Sequence, residues 1–235
     1  MSYLRPKHLM IAVAVLAVVV EIRKGYFKGF PAYLRSVSFR KDRFVMIALV
    51  LATVGMLWAD SFLRHQIQGI QIEFVKSVFA FGGFVGKKLW NGLVFLYLAA
   101  FLLRQEKWQR LFFGVFLTGA TTGLLAGVLK FTFLRARPDL DLGPFSFFHL
   151  EGLTKDNGVF QSFPSGDVAI VAGAAAYLVC ALKNYFLKGL IFLIPLATAF
   201  SRVALNDHWP SDVLFSFGLS CVAARFWWEF KRVQI

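Results

Sequence analysis

Acidic residues and cysteines are scarce in this sequence, and each shortage excludes a class of protein. The two cysteines, Cys180 and Cys221, both fall inside apolar runs, which argues against a disulfide framework or a zinc site and favours packing roles. Only 13 Asp and Glu oppose 26 Lys and Arg, so the net charge is +13. Because these cations flank apolar runs, we expect them to face anionic lipid headgroups, and we expect no nucleic-acid partner.

What the sequence has in abundance is apolar side chains. Apolar residues make up 58% of the chain, and the mean hydropathy is +0.63. A soluble protein of this size would carry more polar residues, so the composition predicts an all-α, polytopic integral membrane protein with a bundle of six transmembrane helices. The six candidate spans are residues 44–59, 89–103, 111–129, 168–182, 185–200 and 213–228.

Two shorter apolar segments are not counted as crossings. Residues 9–20 follow Arg5 and Lys7 but precede no small-residue cleavage pattern, and the run is short for a full crossing. They are interpreted as an interfacial or half-buried helix and not as a signal peptide. Residues 77–85 are short and contain glycine, which favours a surface-lying or re-entrant segment. The expected division is therefore an N-terminal interfacial and cytoplasmic segment, 1–43, followed by one membrane domain, 44–235.

The distribution of basic residues between alternate loops predicts the orientation of the chain. One set of loops, residues 21–43, 104–110, 183–189 and 229–235, carries 14 Lys and Arg, and the longer opposite set carries 9. Basic loops remain on the cytoplasmic side. This predicts a cytoplasmic C-terminus. The expected location is the plasma (bacterial inner) membrane.

The segment between the last two predicted spans concentrates polar chemistry. It holds Arg202, His208 and Asp212 between two apolar runs, where unused charge is costly. Pro210 suits the first turn of a new helix, which would place Asp212 four residues beyond His208 and within reach of its ring N–H. A histidine held in this way presents its other nitrogen as a nucleophile, and Arg202 offers a planar fork for phosphate oxygens.

Antiparallel spans would bring two further motifs to the same end of the bundle. Lys130 and Arg137-Pro138 follow the third span, and Pro164-Ser165-Gly166 precedes the fourth. The cations, the hydroxyl and the N–H groups of a helix N-terminus all favour an anion. Together with an activated histidine, they predict phosphoryl transfer.

In this order and spacing, the three motifs closely resemble the signature of the type 2 phosphatidic acid phosphatase superfamily. The resemblance covers about residues 111–228. It implies a six-span helical fold, hydrolysis of lipid phosphates without metal or other cofactor, and a phosphohistidine intermediate. By position, His208 would attack phosphorus and Asp212 would orient it. The phosphoryl oxygens would be held by Lys130, Arg137, Ser165, Gly166 and Arg202.

One position departs from the family pattern. Asp167 stands where the family usually has the histidine that protonates the leaving oxygen. Three hypotheses follow: Asp167 acts as the acid or positions water, the chain binds substrate without turning it over, or another acid such as His149 takes the role. A large gain in turnover in Asp167→His would contradict the first.

These observations lead to a lipid phosphate phosphatase as the main hypothesis. Candidate substrates are phosphatidylglycerol phosphate, phosphatidic acid, undecaprenyl diphosphate and lipid A phosphates, and the active site would face the extracytoplasmic side. The alternatives are a lipid phosphotransferase using the same histidine and a non-catalytic lipid-phosphate binder or transporter. Asp139 and Asp141 form a D-x-D pattern that can hold magnesium elsewhere, but a loop role is favoured here. The sequence leaves the oligomeric state open.

Overall fold

A computed structural model describes residues 6–36, 40–70, 73–154 and 158–233. Within these ranges the chain forms helices and loops, and no strand. The helices are α1 (Pro6–Arg23), α2 (Phe30–Ser36), α3 (Arg40–Gln68), α4 (Glu73–Leu102), α5 (Glu106–Phe133), α6 (Gly166–Ala181), α7 (Tyr185–Ala204) and α8 (Pro210–Val233). Two short 3-10 turns, Pro138–Leu140 and Leu150–Leu153, lie in the long connection between α5 and α6. The all-α prediction is confirmed.

Each of the six predicted apolar runs falls on a different one of the helices α3 to α8. Most of these helices are longer than the run, and the runs 89–103 and 168–182 extend one residue beyond the helix end. In the described part of the chain, three segments are long and apolar enough to cross a membrane by length and composition, namely Met46–Gln68, Glu106–Leu140 and Tyr185–Ala204. Gly92–Leu102 and Gly166–Ala181 are shorter apolar helices. Residues 9–20 lie within α1, and their interfacial position stays a prediction.

The prediction of a separate surface-lying or re-entrant segment at residues 77–85 is wrong. These residues form the first half of the continuous helix α4. The glycine that suggested an interruption instead permits close packing, because a Cβ on Gly82 would lie 2.3 Å from the carbonyl oxygen of Ala197 in α7. Thr198 also donates a hydrogen bond of 3.0 Å to the Gly82 carbonyl. Tertiary packing against α7 therefore outweighs the helix-breaking tendency of glycine.

Helix α6 is packed against α5, α7 and α8, and small residues allow this enclosure. Val168 and Ala172 are buried against Ala199 and Val203 of α7. Hydroxyl groups tie its N-terminal half to the neighbouring helices, since Thr122 and Ser220 both donate to the Ala169 carbonyl at 2.8 and 2.9 Å. The N-terminus of α6 is thereby held between α5 and α8.

The N-terminal segment packs against the opposite end of the bundle. Glu21 of α1 is 2% exposed and accepts hydrogen bonds from Tyr97 at 2.9 Å and Gln109 at 2.7 Å. Tyr33 of α2 donates to the carbonyl of Phe226 in α8 at 2.9 Å. These contacts secure α1 and α2 to α4, α5 and α8 and leave the other end of the bundle free for the polar motifs.

Candidate active site

The three sequence motifs meet at one end of the bundle. Helix α5 carries Lys130 in its last turn and closes at Leu134, whose left-handed backbone has φ 42°. Helix α6 begins at Gly166, α7 ends two residues after Arg202, and α8 begins at Pro210 as expected from the sequence. The C-terminal ends of α5 and α7 and the N-terminal ends of α6 and α8 thus lie at the same end of the bundle and bring the three motifs together.

His208 lies in the connection between α7 and α8 and is 4% exposed. Its Nδ1 is 2.7 Å from the carbonyl oxygen of Ser162, and the Oδ2 of Asp212 lies 3.6 Å from the same nitrogen. The sequence pointed to Asp212 alone, so the Ser162 carbonyl is an additional partner. With two acceptors facing Nδ1, the ring proton belongs there, and Nε2 keeps its lone pair.

Asp212 is fully buried and rigidly held. Its Oδ2 accepts hydrogen bonds from the Ser162 hydroxyl at 2.5 Å and from the Trp209 backbone N–H at 2.9 Å, and its Oδ1 accepts from Arg135. A carboxylate with this many donors has one orientation, and its charge faces the imidazole of His208.

The surroundings of His208 favour its neutral form. Burial lowers the pKa of His208 below its ordinary value of 6.5, and the charges of Lys130 and Arg137 lower it further, while Asp212 raises it. The imidazole is therefore unprotonated at neutral pH. This is the form that a nucleophile needs.

Three buried donors of the predicted phosphate-binding set lack hydrogen-bond partners. They are Arg137 Nε, Ser165 Oγ and Arg202 Nε. Ser165 is fully buried at the N-terminus of α6, and its side chain makes no capping bond to that helix. Unsatisfied buried donors are costly, so these three atoms are available to an added acceptor.

Lys130 and Gly166 are adjacent in this site. A Cβ on Gly166 would lie 3.7 Å from Lys130 Cε, at ordinary van der Waals distance. The Lys130 ammonium is within electrostatic range of Arg137, Asp167 and Asp212. The first and second motifs are thus in contact, and Lys130 adds a cation beside the N-terminus of α6.

Asp167, in the first turn of α6, faces Arg202. Its Oδ2 lies 3.3 Å from Arg202 Nε, an ion pair without hydrogen-bond geometry, and its side chain is 36% exposed. His149, the other candidate acid, bonds to Ser146 at 2.5 Å and stacks on the ring of Phe160. Asp167 is therefore in contact with the predicted phosphate-binding set, whereas the contacts of the His149 ring are with the connection between α5 and α6.

Asp207 was not selected from the sequence, although it adjoins His208. Its carboxylate bridges two predicted phosphate-binding residues, accepting from Arg202 Nη1 at 2.8 Å and from Arg137 Nη1 at 3.2 Å. Arg202 also donates to the Gly83 carbonyl of α4 at 3.2 Å. The sequence did contain a signal for Asp207, namely its position next to His208. A carboxylate beside the predicted nucleophile also lies within reach of the cations predicted to surround it.

Asp60 and Arg135 were also not selected as site residues. Both are fully buried, and Arg135 pairs with Asp60 at 2.7 Å and with Asp212. Arg135 lies between Lys130 and Arg137 of the first motif, so the sequence does show a third cation within that motif. No sequence signal pointed to Asp60, which lies in an apolar helix far from the motifs.

Fold and site together define a helical bundle with apolar helices and a buried histidine near Lys130, Arg137 and the N-terminus of α6. The chain belongs to the PAP2 superfamily, whose family model matches residues 107–234. This confirms the resemblance seen in the three motifs, which all lie within that range.

Two relatives with assigned names each match about two fifths of the chain. It is 36% identical over 102 residues to a lipid A 1-phosphatase of Rhizobium johnstonii, which covers 43% of this chain and 39% of the relative. It is 33% identical over 95 residues to an undecaprenyl-diphosphatase of Sulfolobus acidocaldarius, which covers 40% of this chain and 43% of the relative. The matches thus span about two fifths of the relatives' length.

The fold is also similar to a solved structure. The crystal structure of LpxE from Aquifex aeolicus superposes with a TM-score of 0.52 at 20% identity, and the match covers 73% of this chain and 95% of that one. At this identity the similarity concerns the fold.

Proposed function

We propose that this protein is a membrane-embedded phosphatase that dephosphorylates a lipid phosphate monoester or a lipid diphosphate. The observation that carries the proposal is a set of three buried donors that make no hydrogen bond, on Arg137, Ser165 and Arg202, at the same end of the bundle as the neutral imidazole of His208. An anion site next to a nucleophile is the arrangement that phosphoryl transfer requires. Membership of the PAP2 superfamily and the names of the two relatives support the same reaction class.

The proposed reaction has two steps. His208 Nε2 attacks phosphorus and the bond from phosphorus to the lipid oxygen breaks. Asp167 enters this step as the carboxylic acid, released from its ion pair with Arg202, and gives its proton to that oxygen. Water then attacks the phosphohistidine, Asp167 takes back a proton, and the bond from phosphorus to Nε2 breaks to release inorganic phosphate. Asp212 stabilises the imidazole throughout. The transferring oxygens are held by Lys130, Arg137, Ser165, Gly166 and Arg202.

We further propose six crossings, formed by the apolar runs in α3 to α8, in a bacterial inner membrane. The excess of Lys and Arg in one set of loops supports a cytoplasmic C-terminus. The site lies at the other end of α8 and would then face the extracytoplasmic side. The lipid A and undecaprenyl relatives support a glycolipid or polyprenyl phosphate over a glycerophospholipid as the substrate.

The proposed function is tested by phosphate release from a panel of lipid phosphates. The purified protein should release inorganic phosphate from at least one of phosphatidylglycerol phosphate, phosphatidic acid, undecaprenyl diphosphate and lipid A phosphates. Transfer to a second lipid, seen by thin-layer analysis, would show a phosphotransferase. Binding of these lipids without release or transfer would instead show a binder or transporter and would contradict the proposal.

The acid limb of the pH profile follows from the burial of His208. Because burial lowers its pKa, kcat/KM is expected to fall on the acid side with a midpoint below pH 6.5. Activity should be lost as the imidazole gains a proton. The pH profile is measured with two lipids whose phosphate groups ionise at different pH values. An acid-side fall in kcat/KM that is the same for both lipids belongs to the enzyme and not to the substrate. A common limb above pH 6.5 would contradict the assignment.

Asp207 competes with phosphate for Arg137 and Arg202. Asp207→Asn keeps the size of the side chain and removes its charge, so the inhibition constant for inorganic phosphate is expected to fall about fivefold to tenfold, which corresponds to about 1 kcal/mol. The measurement is inhibition of lipid hydrolysis by phosphate. Asp139→Asn, at an exposed position beyond Arg137, serves as the control and should leave the constant unchanged. Weaker inhibition in Asp207→Asn would show that Asp207 only positions the arginines.

A further inference from the structure

Behind His208 lies a buried cluster of charges that joins helix α3 to the site. Asp60, Arg135 and Asp212 are each fully buried, and Asp60 lies outside the range matched by the family model. Burying three charges is costly and does not by itself stabilise a fold. The cluster therefore calls for a functional explanation.

The geometry of the cluster fixes every member. The Arg135 guanidinium donates to Asp60 Oδ2 at 2.7 Å, to Asp212 Oδ1 and to the Ser211 hydroxyl at 2.7 Å. Asp60 in turn accepts from the Ser211 backbone N–H at 2.7 Å and from its hydroxyl at 2.5 Å. The guanidinium also lies over the ring of Trp209, 5.3 Å from its centroid. Asp60 thus binds both the arginine and the residue before Asp212.

The charge balance of the cluster bears on His208. Two carboxylates share one guanidinium, so the cluster keeps one net negative charge beside the imidazole. Without Asp60, Arg135 would neutralise Asp212 alone, and the stabilising field at His208 would weaken. The other charged groups around the site come from several elements, and they are Lys130 and Arg137 at the end of α5, Asp167 of α6, and Arg202 and Asp207 at the end of α7.

We propose that Asp60 and Arg135 are positioning residues for the nucleophile. They fix the carboxylate of Asp212, and Asp60 offsets the charge of Arg135 so that Asp212 keeps its effect on His208. This inference rests on the proposed role of His208 as the nucleophile. It assigns a function in the site to a helix, α3, that carries none of the three motifs.

The test is the titration of His208 followed by NMR with ¹³C-labelled histidine in detergent micelles. The chain has four histidines, so the signals are few, and His208→Ala identifies the one that matters. Asp60→Asn is expected to lower the titration midpoint of His208 by about half a pH unit or more, because the site becomes more positive. The double variant Asp60→Asn, Arg135→Gln removes one charge of each sign and should return the midpoint to within about 0.2 units of the unmodified protein.

The control is Asp141→Asn, which removes a carboxylate that is 80% exposed and pairs with Arg64 at the same end of the bundle. The titration midpoint of His208 should not change in this variant. An unchanged midpoint in Asp60→Asn, or a double variant displaced further than the single one, would overturn the proposal. A purely structural role predicts that the double variant is the more disturbed of the two.

A second variant covers the case in which Asp60→Asn does not fold. Arg135→Lys keeps the positive charge but loses the planar guanidinium that binds two carboxylates at once. The titration midpoint of His208 should therefore be unchanged, while kcat should fall about tenfold and KM should remain within about twofold. An unaltered kcat would overturn the positioning role. The titration requires no turnover, so it remains decisive even if the protein releases phosphate from no lipid, an outcome that would refute the proposed function by itself.

Discussion

Alanine in place of His208 is expected to reduce phosphate release by at least about 10³-fold, because the reaction loses the atom to which the phosphoryl group is transferred. The phosphate-binding donors are untouched, so inorganic phosphate should still bind to the variant. The measurement is release of phosphate from the preferred lipid, with binding of inorganic phosphate determined on the same preparation.

The matched control for this variant is His65→Ala. His65 is exposed in the last turn of α3, at the same end of the bundle. It should retain activity within about twofold, since a surface substitution has little effect. Release that persists in His208→Ala would refute the nucleophile assignment. Loss of both release and phosphate binding would indicate a damaged site. His208→Gln, which keeps a polar side chain at this position, would then be measured in its place, and phosphate release by it would refute the nucleophile assignment.

The second large effect is expected at Asp167. Asp167→Asn should lose about 10²-fold or more in kcat, because the amide cannot protonate the leaving oxygen. Asp167→His should stay within about tenfold of the unmodified protein, since both side chains can carry the proton. The measurement is steady-state phosphate release across the pH range in which the protein is active.

His149→Ala is the companion variant, because His149 was the other candidate acid. Its ring contacts Ser146 and Phe160, so its removal should change kcat by no more than about twofold. A large gain of turnover in Asp167→His would mean that the natural aspartate impairs catalysis. A loss in His149→Ala as large as that in Asp167→Asn would transfer the acid role to His149.

Much of the fold could be predicted because apolar runs long enough to span a bilayer form helices with few alternatives. Runs such as 111–129 and 213–228 lie within α5 and α8. The failure at 77–85 has the opposite cause. Gly82 suggested an interruption of the helix, but it allows α4 to approach α7 closely. That role depends on a partner helix, which the local sequence does not reveal.

The candidate site divides in the same way. Lys130, Ser165 and His208 could be grouped because antiparallel helices bring alternate ends together, and the structure places them at one end. Asp60 could not, because it stands alone at the end of the apolar run 44–59 and its partner Arg135 is 75 positions away. The packing of α3 against α8 brings Asp60 to Ser211, and Arg135 reaches both Asp60 and Ser211 from the segment after α5. Contacts that depend on packing, unlike motifs, leave no local pattern.

The account as a whole rests on a phosphoryl group passing through His208, and one measurement tests this directly. The protein is mixed with its preferred lipid phosphate, quenched in alkali within the first turnover, digested and analysed by mass spectrometry for the added phosphoryl group. The account predicts a phosphorylated histidine at position 208, and none in His208→Ala. Phosphate release with an unmodified His208 throughout the first turnover, or a phosphoryl group on another residue, would contradict it.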